Sequence, residues 1–313
     1  MALPADHPVY AVVAPPRLAR FRSRLGLTED DPLSADLTGW SKVVILTPVH
    51  AVLFARDHTQ VESMRREVTA LQAVAPLALP GVPRVLDVWD DPAVSAYPVV
   101  VLERRPGVGL SGLVERVAPD ALAGLFEDLG RRAARWHAVE VDAVPTLPRR
   151  DALADRSALV AELELDDRLA GRAALALARA RELDPVLVHG DLHEGQLLVE
   201  AEPPHALTAI LDWQTARVDH PFVEFDLGEW GTALWRGHRP HFPELRRRAW
   251  SAYAGERGLP GDLAPVFEWH HATSHARKLL GIDSFPVAHP PSVVGTLADA
   301  RQRVIDALEQ VEG

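Results

Sequence analysis

Apolar residues recur along this chain in two periods, and the alternation between them predicts a mixed α and β protein. Residues 15–27 read as a leading helix, and two short strands follow, the run from Lys42 to 46 and the run from His50 to Arg56, joined near Pro48. Val61, Met64, Val68, Leu71 and Val74 then fall at helical spacing. Residues 82–88 and 97–102 have the β-branched character of strands, closed by the turn Glu103-Arg104-Arg105-Pro106-Gly107. Leu122, Leu125, Phe126, Leu129, Ala133 and Trp136 predict a long amphipathic helix, and the Ala-, Leu- and Arg-rich residues 151–183 read as further helix. Apolar strand runs return at 186–189, 197–199 and 207–211, and helical segments start near Phe222, Phe242, Leu263 and Val293. The pattern implies an α+β chain with a small β-rich N-terminal lobe over residues 1–105, ending in a hinge, and a larger helical lobe over 106–313.

The chemistry concentrates around the late strands. V-H-G-D-L-H-E-G-Q-L-L-V, from Val188, is followed by A-I-L-D-W, which ends at Trp213. Two carboxylates, Asp191 and Asp212, therefore stand beside apolar strand-like runs, which is a layout suited to phosphoryl transfer. One aspartate takes the proton of an attacking hydroxyl, and the other holds magnesium against nucleotide phosphates. Carboxylates suit both tasks, since Mg²⁺ prefers hard oxygen ligands.

These residues, with D-H-P-F-V-E-F-D-L from Asp219, resemble the aminoglycoside phosphotransferase family, whose members have a protein-kinase-like fold. The resemblance runs from about Leu37 onward, with its specific residues between His189 and Asp226. It implies Asp191 as the catalytic aspartate, Asp212 as a magnesium ligand, and Asp226 as a structural aspartate steadying the catalytic loop, with His189 anchoring that loop. It also places the nucleotide hinge at Glu103, Arg104 and Arg105. Its Asn, five residues after the catalytic aspartate, ligates a second magnesium; here Gln196 stands in that place, offering the same amide oxygen on a longer stem.

The small lobe departs from the family too. Glu67 lies near the buried face of its helix and needs a cation. The family supplies a strand lysine that touches the nucleotide phosphates, but H-A-V-L-F-A-R has none, and the chain holds only Lys42 and Lys278. Arg56, closing the strand, is the first candidate partner; Lys42, on the preceding strand, is the second. Gly39 alone serves the expected phosphate-covering turn. No G-x-G-x-x-G or G-x-x-x-x-G-K-[ST] is present, which argues against Rossmann and P-loop readings.

Weaker constellations complete the inventory. His193, Glu229, Trp230, Glu268 and His271 are substrate-side candidates, because the later helices line the acceptor pocket in the family. His271 and His275 share one helix face, yet no third metal ligand is evident. A G-x-S-x-G elbow is lacking, so a serine hydrolase is unsupported.

Composition narrows the partners. A formal net charge of −11 opposes a nucleic-acid role and favours a cationic acceptor. No apolar run reaches the ~18 residues of a membrane span, no export signal heads the chain, and zero cysteines fit a cytoplasmic protein. The expectation is an enzyme that moves the γ-phosphoryl group of ATP or GTP, with Mg²⁺, to a small-molecule hydroxyl. An aminoglycoside or another antibiotic leads, followed by a homoserine- or choline-type metabolite. A nucleotide-binding pseudoenzyme is the alternative from another class, on the missing lysine and the altered metal ligand.

Overall fold

The computed structural model describes residues 6–226, 242–279 and 297–312. The chain forms two compact units: Met1–Gly107 with Thr208–Thr215, and Val108–Leu207 with Ala216–Gly313.

The first unit opens with helix α1 (Pro15–Arg24). It stops three residues short of the expected 27 because Gly26 takes a left-handed φ of 66°, which lets Leu27 N–H close back on the Arg22 carbonyl. Strands β1 (Ser34–Asp36), β2 (Lys42–Leu46), β3 (His50–Ala55), β4 (Val85–Trp89) and β5 (Val99–Glu103) build an antiparallel sheet in the order β1-β2-β3-β5-β4. The edge strand β1 was absent from the sequence reading, since three residues give no period to read. Helix α2 (Val61–Val74) lies between β3 and β4 in the chain.

Strand alternation sorts the sheet's side chains onto two faces. Ile45, Val52, Phe54, Val99 and Val101 join Val9, Val13, Phe21 and Trp89 in one buried cluster, so this face packs on α1. Lys42, one residue out of phase with Val43 and Ile45, belongs to the opposite face.

In the second unit, β6 (Val108–Gly109) pairs with β8 (Leu197–Val199), and β7 (Val186–Val188) pairs with β10 (Arg217–Asp219). Strand β9 (Leu207–Ile210) starts here and continues into the first unit. The described helices are α3 (Pro119–Trp136), α4 (Ala152–Glu162), α5 (Asp167–Ala180), α6 (Phe242–Arg257), α7 (Leu263–Leu279) and α8 (Leu297–Glu309). Residues 151–183, expected as helix, form two: Glu164 is left-handed at φ 48° and Asp166 caps α5 by accepting Leu169 N–H at 2.8 Å. The segment expected to start a helix near Phe222 is instead a 3₁₀ turn, Pro221–Asp226. Phe222 and Phe225, three apart, stack on one side of such a turn and enter an aromatic core with Trp250, Tyr253 and Phe267. Helices α3 and α6 touch through Gly130, where a Cβ would stand 2.0 Å from the Ala249 carbonyl oxygen; only glycine admits that approach. The expected start near Val293 lies outside the described residues. Among the described residues, no helix is long and apolar enough to cross a membrane.

Candidate active site

In the first unit, three charged side chains from three elements meet. Lys42, at the head of β2, donates from Nζ to Glu67 Oε2 on α2 and to Asp212 Oδ1, the latter at 2.9 Å. Lys42 and Asp212 are largely shielded and Glu67 is buried. Burial works against the Lys42 charge, but the two carboxylates outweigh it and hold its pKa above the ordinary lysine value. Burial pushes the Glu67 carboxyl up, with the Lys42 ammonium opposing.

This geometry corrects the first choice of partner for Glu67. Arg56 follows Phe54 at a spacing of two and so continues the α1-side face, away from Lys42. Its guanidinium donates instead to the backbone carbonyls of Leu37 and Gly39, bracing the turn between β1 and β2. The lysine missing from β3 is supplied one strand earlier.

Asp212 is delivered by a strained turn. After β9 its backbone is left-handed, φ 63°, which non-glycine residues adopt rarely and Asp more readily than most. The next residue, Trp213, is fully buried and donates to the Ile210 carbonyl at 3.0 Å, while Gln214 accepts from Ser63 of α2. The turn is thus fixed to the helix that carries Glu67. A shielded carboxylate is a hard oxygen donor, which fits Mg²⁺, an ion usually held by one or two carboxylates plus phosphates.

The residues assigned to the hinge are woven into the end of the interior strand β5 and the turn that follows it. Glu103 N–H donates to the Arg84 carbonyl at 2.9 Å and Arg104 N–H to that of Val49 at 3.0 Å. The Arg104 guanidinium holds the Thr47 carbonyl at 2.6 Å, and Glu103 pairs with Arg84 at 3.1 Å and with Arg105 at 3.4 Å.

The second unit carries the loop of Asp191. Strand β7 leads to the fully buried His189 and then Gly190, whose φ of 84° suits glycine and turns the chain sharply. Asp191 N–H donates to His189 Nδ1 at 3.4 Å, and Leu192 is buried, so the carboxylate rides on an anchored loop. Next, His193 caps a short 3₁₀ turn, Glu194–Gln196, by accepting Gly195 N–H at 3.0 Å.

A residue missed in the sequence holds this loop. Glu224 is fully buried, and its Oε2 accepts His189 N–H at 2.7 Å, Trp136 Nε1–H at 3.1 Å and His137 Nε2–H at 3.2 Å. Burial raises its pKa, but His137 and the His189 N–H outweigh that and leave it below the ordinary glutamate value. His137 is pushed down by burial, and its Nδ1 lies 3.0 Å from the Tyr253 hydroxyl. The signal was available: Glu224 is a lone carboxylate among Phe222, Val223 and Phe225. Asp226, expected as the structural aspartate that steadies this loop, ends the same turn, and its side chain lies outside the described residues.

Among the substrate-side candidates, Glu268 pairs with Arg246 and, at 3.4 Å, with Arg247, joining α6 to α7. His271 is buried in α7. Glu229, Trp230 and the side chain of His275 lie outside the described residues. Among the described residues, no cluster of three or more His, Cys, Asp or Glu side chains is arranged to hold a metal ion.

Comparison with known proteins supplies the family. A model of the phosphotransferase enzyme family matches residues 33–266. The chain belongs to that family. It is accordingly a phosphotransferase with an alcohol group as acceptor. No curated protein sequence matches it. Solved structures do. An aminoglycoside 2'-phosphotransferase-IIIa in its GDP complex matches with a TM-score of 0.58 at 15% identity, over 93% of this chain and 97% of that one. A macrolide 2'-phosphotransferase from Brachybacterium faecium matches with a TM-score of 0.56 at 21% identity, over 95% and 99%. A putative aminoglycoside phosphotransferase from Ralstonia eutropha gives 0.57 at 16% identity, over 96% and 98%. These likenesses bear out the protein-kinase-like α+β fold.

Proposed function

We propose that this phosphotransferase moves the γ-phosphoryl group of ATP or GTP to a hydroxyl of an aminoglycoside or other antibiotic. The observation that carries the reading is the Lys42 ammonium held between Glu67 and Asp212, because it fixes a permanent positive charge beside a carboxylate suited to magnesium. Catalysis of this kind rests on positioning and charge neutralisation more than on covalent chemistry. Lys42 then meets nucleotide phosphate oxygens, and Glu67 orients it. Asp191 takes the proton from the acceptor hydroxyl as the oxygen–phosphorus bond forms and the bond to the nucleoside diphosphate breaks. Magnesium, held through Asp212, supplies charge neutralisation on the phosphates. Arg105 and the strand end beside it receive the base, since the amides of Glu103 and Arg104 already serve the sheet. His193, Glu268 and His271 remain candidates for the acceptor side.

The acceptor class draws support from two directions. Structurally similar proteins include a kanamycin complex of an aminoglycoside phosphotransferase, and the net charge of −11 favours a polyamine-like substrate. Dependence on nucleoside triphosphate points to the cytoplasm.

A direct test follows nucleoside diphosphate release, with ATP and with GTP, across a panel of aminoglycosides, macrolides, homoserine and choline. Acceptor-dependent release with an antibiotic, lost in Asp191→Asn by roughly the 10²- to 10⁴-fold of a positioned acid–base group, is the expected result. Release with homoserine or choline alone replaces the antibiotic reading. No acceptor-dependent release at all, with nucleotide still bound, favours a pseudoenzyme.

A further inference from the structure

The carboxylate that steadies the Asp191 loop is itself held from α6. Despite burial, its donors keep Glu224 ionised, so Oε2 can only accept, and the His137 nitrogen 3.2 Å from it, Nε2, carries a proton. Burial keeps the His137 ring neutral, which leaves Nδ1 without one. The Tyr253 hydroxyl, 3.0 Å away, therefore donates to Nδ1, and burial holds its proton in place. The Arg257 guanidinium also meets that hydroxyl, but it can only donate, so the O–H gains nothing by turning toward it. Every bond in the line points one way, from Tyr253 through His137 to Glu224, and hydrogen bonds in such a chain polarise one another.

Helix packing sets the reach of this line. His137 caps the end of α3 and Tyr253 belongs to α6, and the two helices close on each other at Gly130, where a Cβ would stand 2.0 Å from the Ala249 carbonyl oxygen and 3.1 Å from the Tyr253 nitrogen. Gly130 and His137 are seven residues, two turns, apart along one side of α3. The approach that glycine admits thus brings Tyr253 against the end of α3. Its ring meets those of Phe225 and His137 edge-on, each at 5.1 Å between centroids. The His137 ring is held at both nitrogens, and loss of the hydroxyl would leave one hold and a buried acceptor without its donor.

We propose that Tyr253 and His137 are positioning residues for phosphoryl transfer: together they set the Glu224 carboxylate that fixes the His189 strand end, and with it the loop that carries Asp191. Both are buried and act through Glu224. The inference rests on the role proposed above for Asp191.

Tyr253→Phe tests it, because the ring stays in the aromatic core and only the hydroxyl goes. Amide exchange at His189 should quicken roughly 2- to 10-fold, the scale of one neutral hydrogen bond. With the acceptor that the panel above selects, kcat should fall by a similar factor while the KM for nucleotide stays within about twofold. The ¹⁵N signals of His137, identified by their loss in His137→Phe, should show a proton on Nε2 and a hydrogen-bonded Nδ1 in the parent, and a bare Nδ1 in Tyr253→Phe. Once His137→Phe has cut the line, adding Tyr253→Phe should change neither rate further. Additive losses in that double variant, or a proton on Nδ1 in the parent, overturn the proposal. So does a Tyr253→Phe protein that melts lower with His189 exchange unchanged, which confines Tyr253 to the fold. Faster exchange with kcat unchanged overturns the positioning role. A parent that transfers to no acceptor, with His189 exchange responding as expected, sinks the reading of Asp191 while the hold on its loop stands.

Discussion

The backbone N–H of His189 donates to Glu224 Oε2 at 2.7 Å, tying the strand end that precedes Asp191 to a fully buried carboxylate. Two side-chain donors, from Trp136 and His137, converge on the same oxygen. Glu224→Gln keeps the size and loses the charge, so charge-assisted bonds become ordinary ones. A destabilisation of about 1–3 kcal/mol is expected, with kcat falling more than the KM for nucleotide. Thermal melting and steady-state kinetics check this; an unchanged kcat in a destabilised Glu224→Gln would confine Glu224 to the fold.

Lys42 and Arg56 are separated by their effects. Lys42→Met leaves Glu67 and Asp212 without their shared cation, at about 3–5 kcal/mol for a broken buried pair. It should also cut transfer by roughly 10²- to 10³-fold, the scale of one lost electrostatic stabiliser. Adding Glu67→Gln should restore much of the stability and none of the activity. Arg56→Ala frees only the turn at Leu37 and Gly39 and should retain most of the transfer. A larger kinetic loss in Arg56→Ala than in Lys42→Met would return the phosphate-contacting role to Arg56.

An acid-sensitive joint sits at His220, whose pKa burial lowers from 6.5 to about 4. Nε2–H donates to the Ala180 carbonyl at 2.9 Å and Nδ1 accepts Phe222 N–H at 3.3 Å, so the folded state holds the neutral ring. The unfolded chain binds the proton first as pH falls. Stability is therefore complete above about pH 6.5 and is lost progressively down to about pH 4, by about 3 kcal/mol in all. His220→Gln should flatten this limb of the denaturation profile relative to the parent. Parallel profiles for the two proteins would show that His220 does not set it.

The legible parts of this chain were those governed by short-range periodicity and by the spacing of charged residues. The Glu67 helix, the strands around Asp191 and the motif around each of the two carboxylates all stood out because each period or motif lies within about a dozen residues. The Lys42 pairing did not, since Arg56 was closer in sequence to Glu67 and only strand parity, fixed once the sheet's α1 face is known, rules it out. The same holds for Glu224: its partners Trp136, His137 and His189 come from distant segments, and no local pattern joins them. What was lost lies in tertiary hydrogen bonding. What was recovered lies in local chemistry.

Asp212 combines two demands that substitution can part: a carboxylate and a left-handed backbone at φ 63°. Asparagine visits that conformation readily, whereas alanine in it costs about 1–2 kcal/mol. Asp212→Asn should therefore fold nearly as well as the parent, with Lys42 still paired to Glu67. Asp212→Ala should be less stable than Asp212→Asn by about that strain. Both remove the charge, so both should weaken magnesium-dependent nucleotide binding far more than metal-free binding. Nucleotide titrations with and without magnesium, paired with denaturant melts, give the two quantities independently. Equal losses with and without the ion would take the metal from Asp212. Equal stability of the two variants would mean that the turn holds its shape without help from the side chain, leaving the strain at this position to be borne by Trp213 and the Gln214 bond to Ser63.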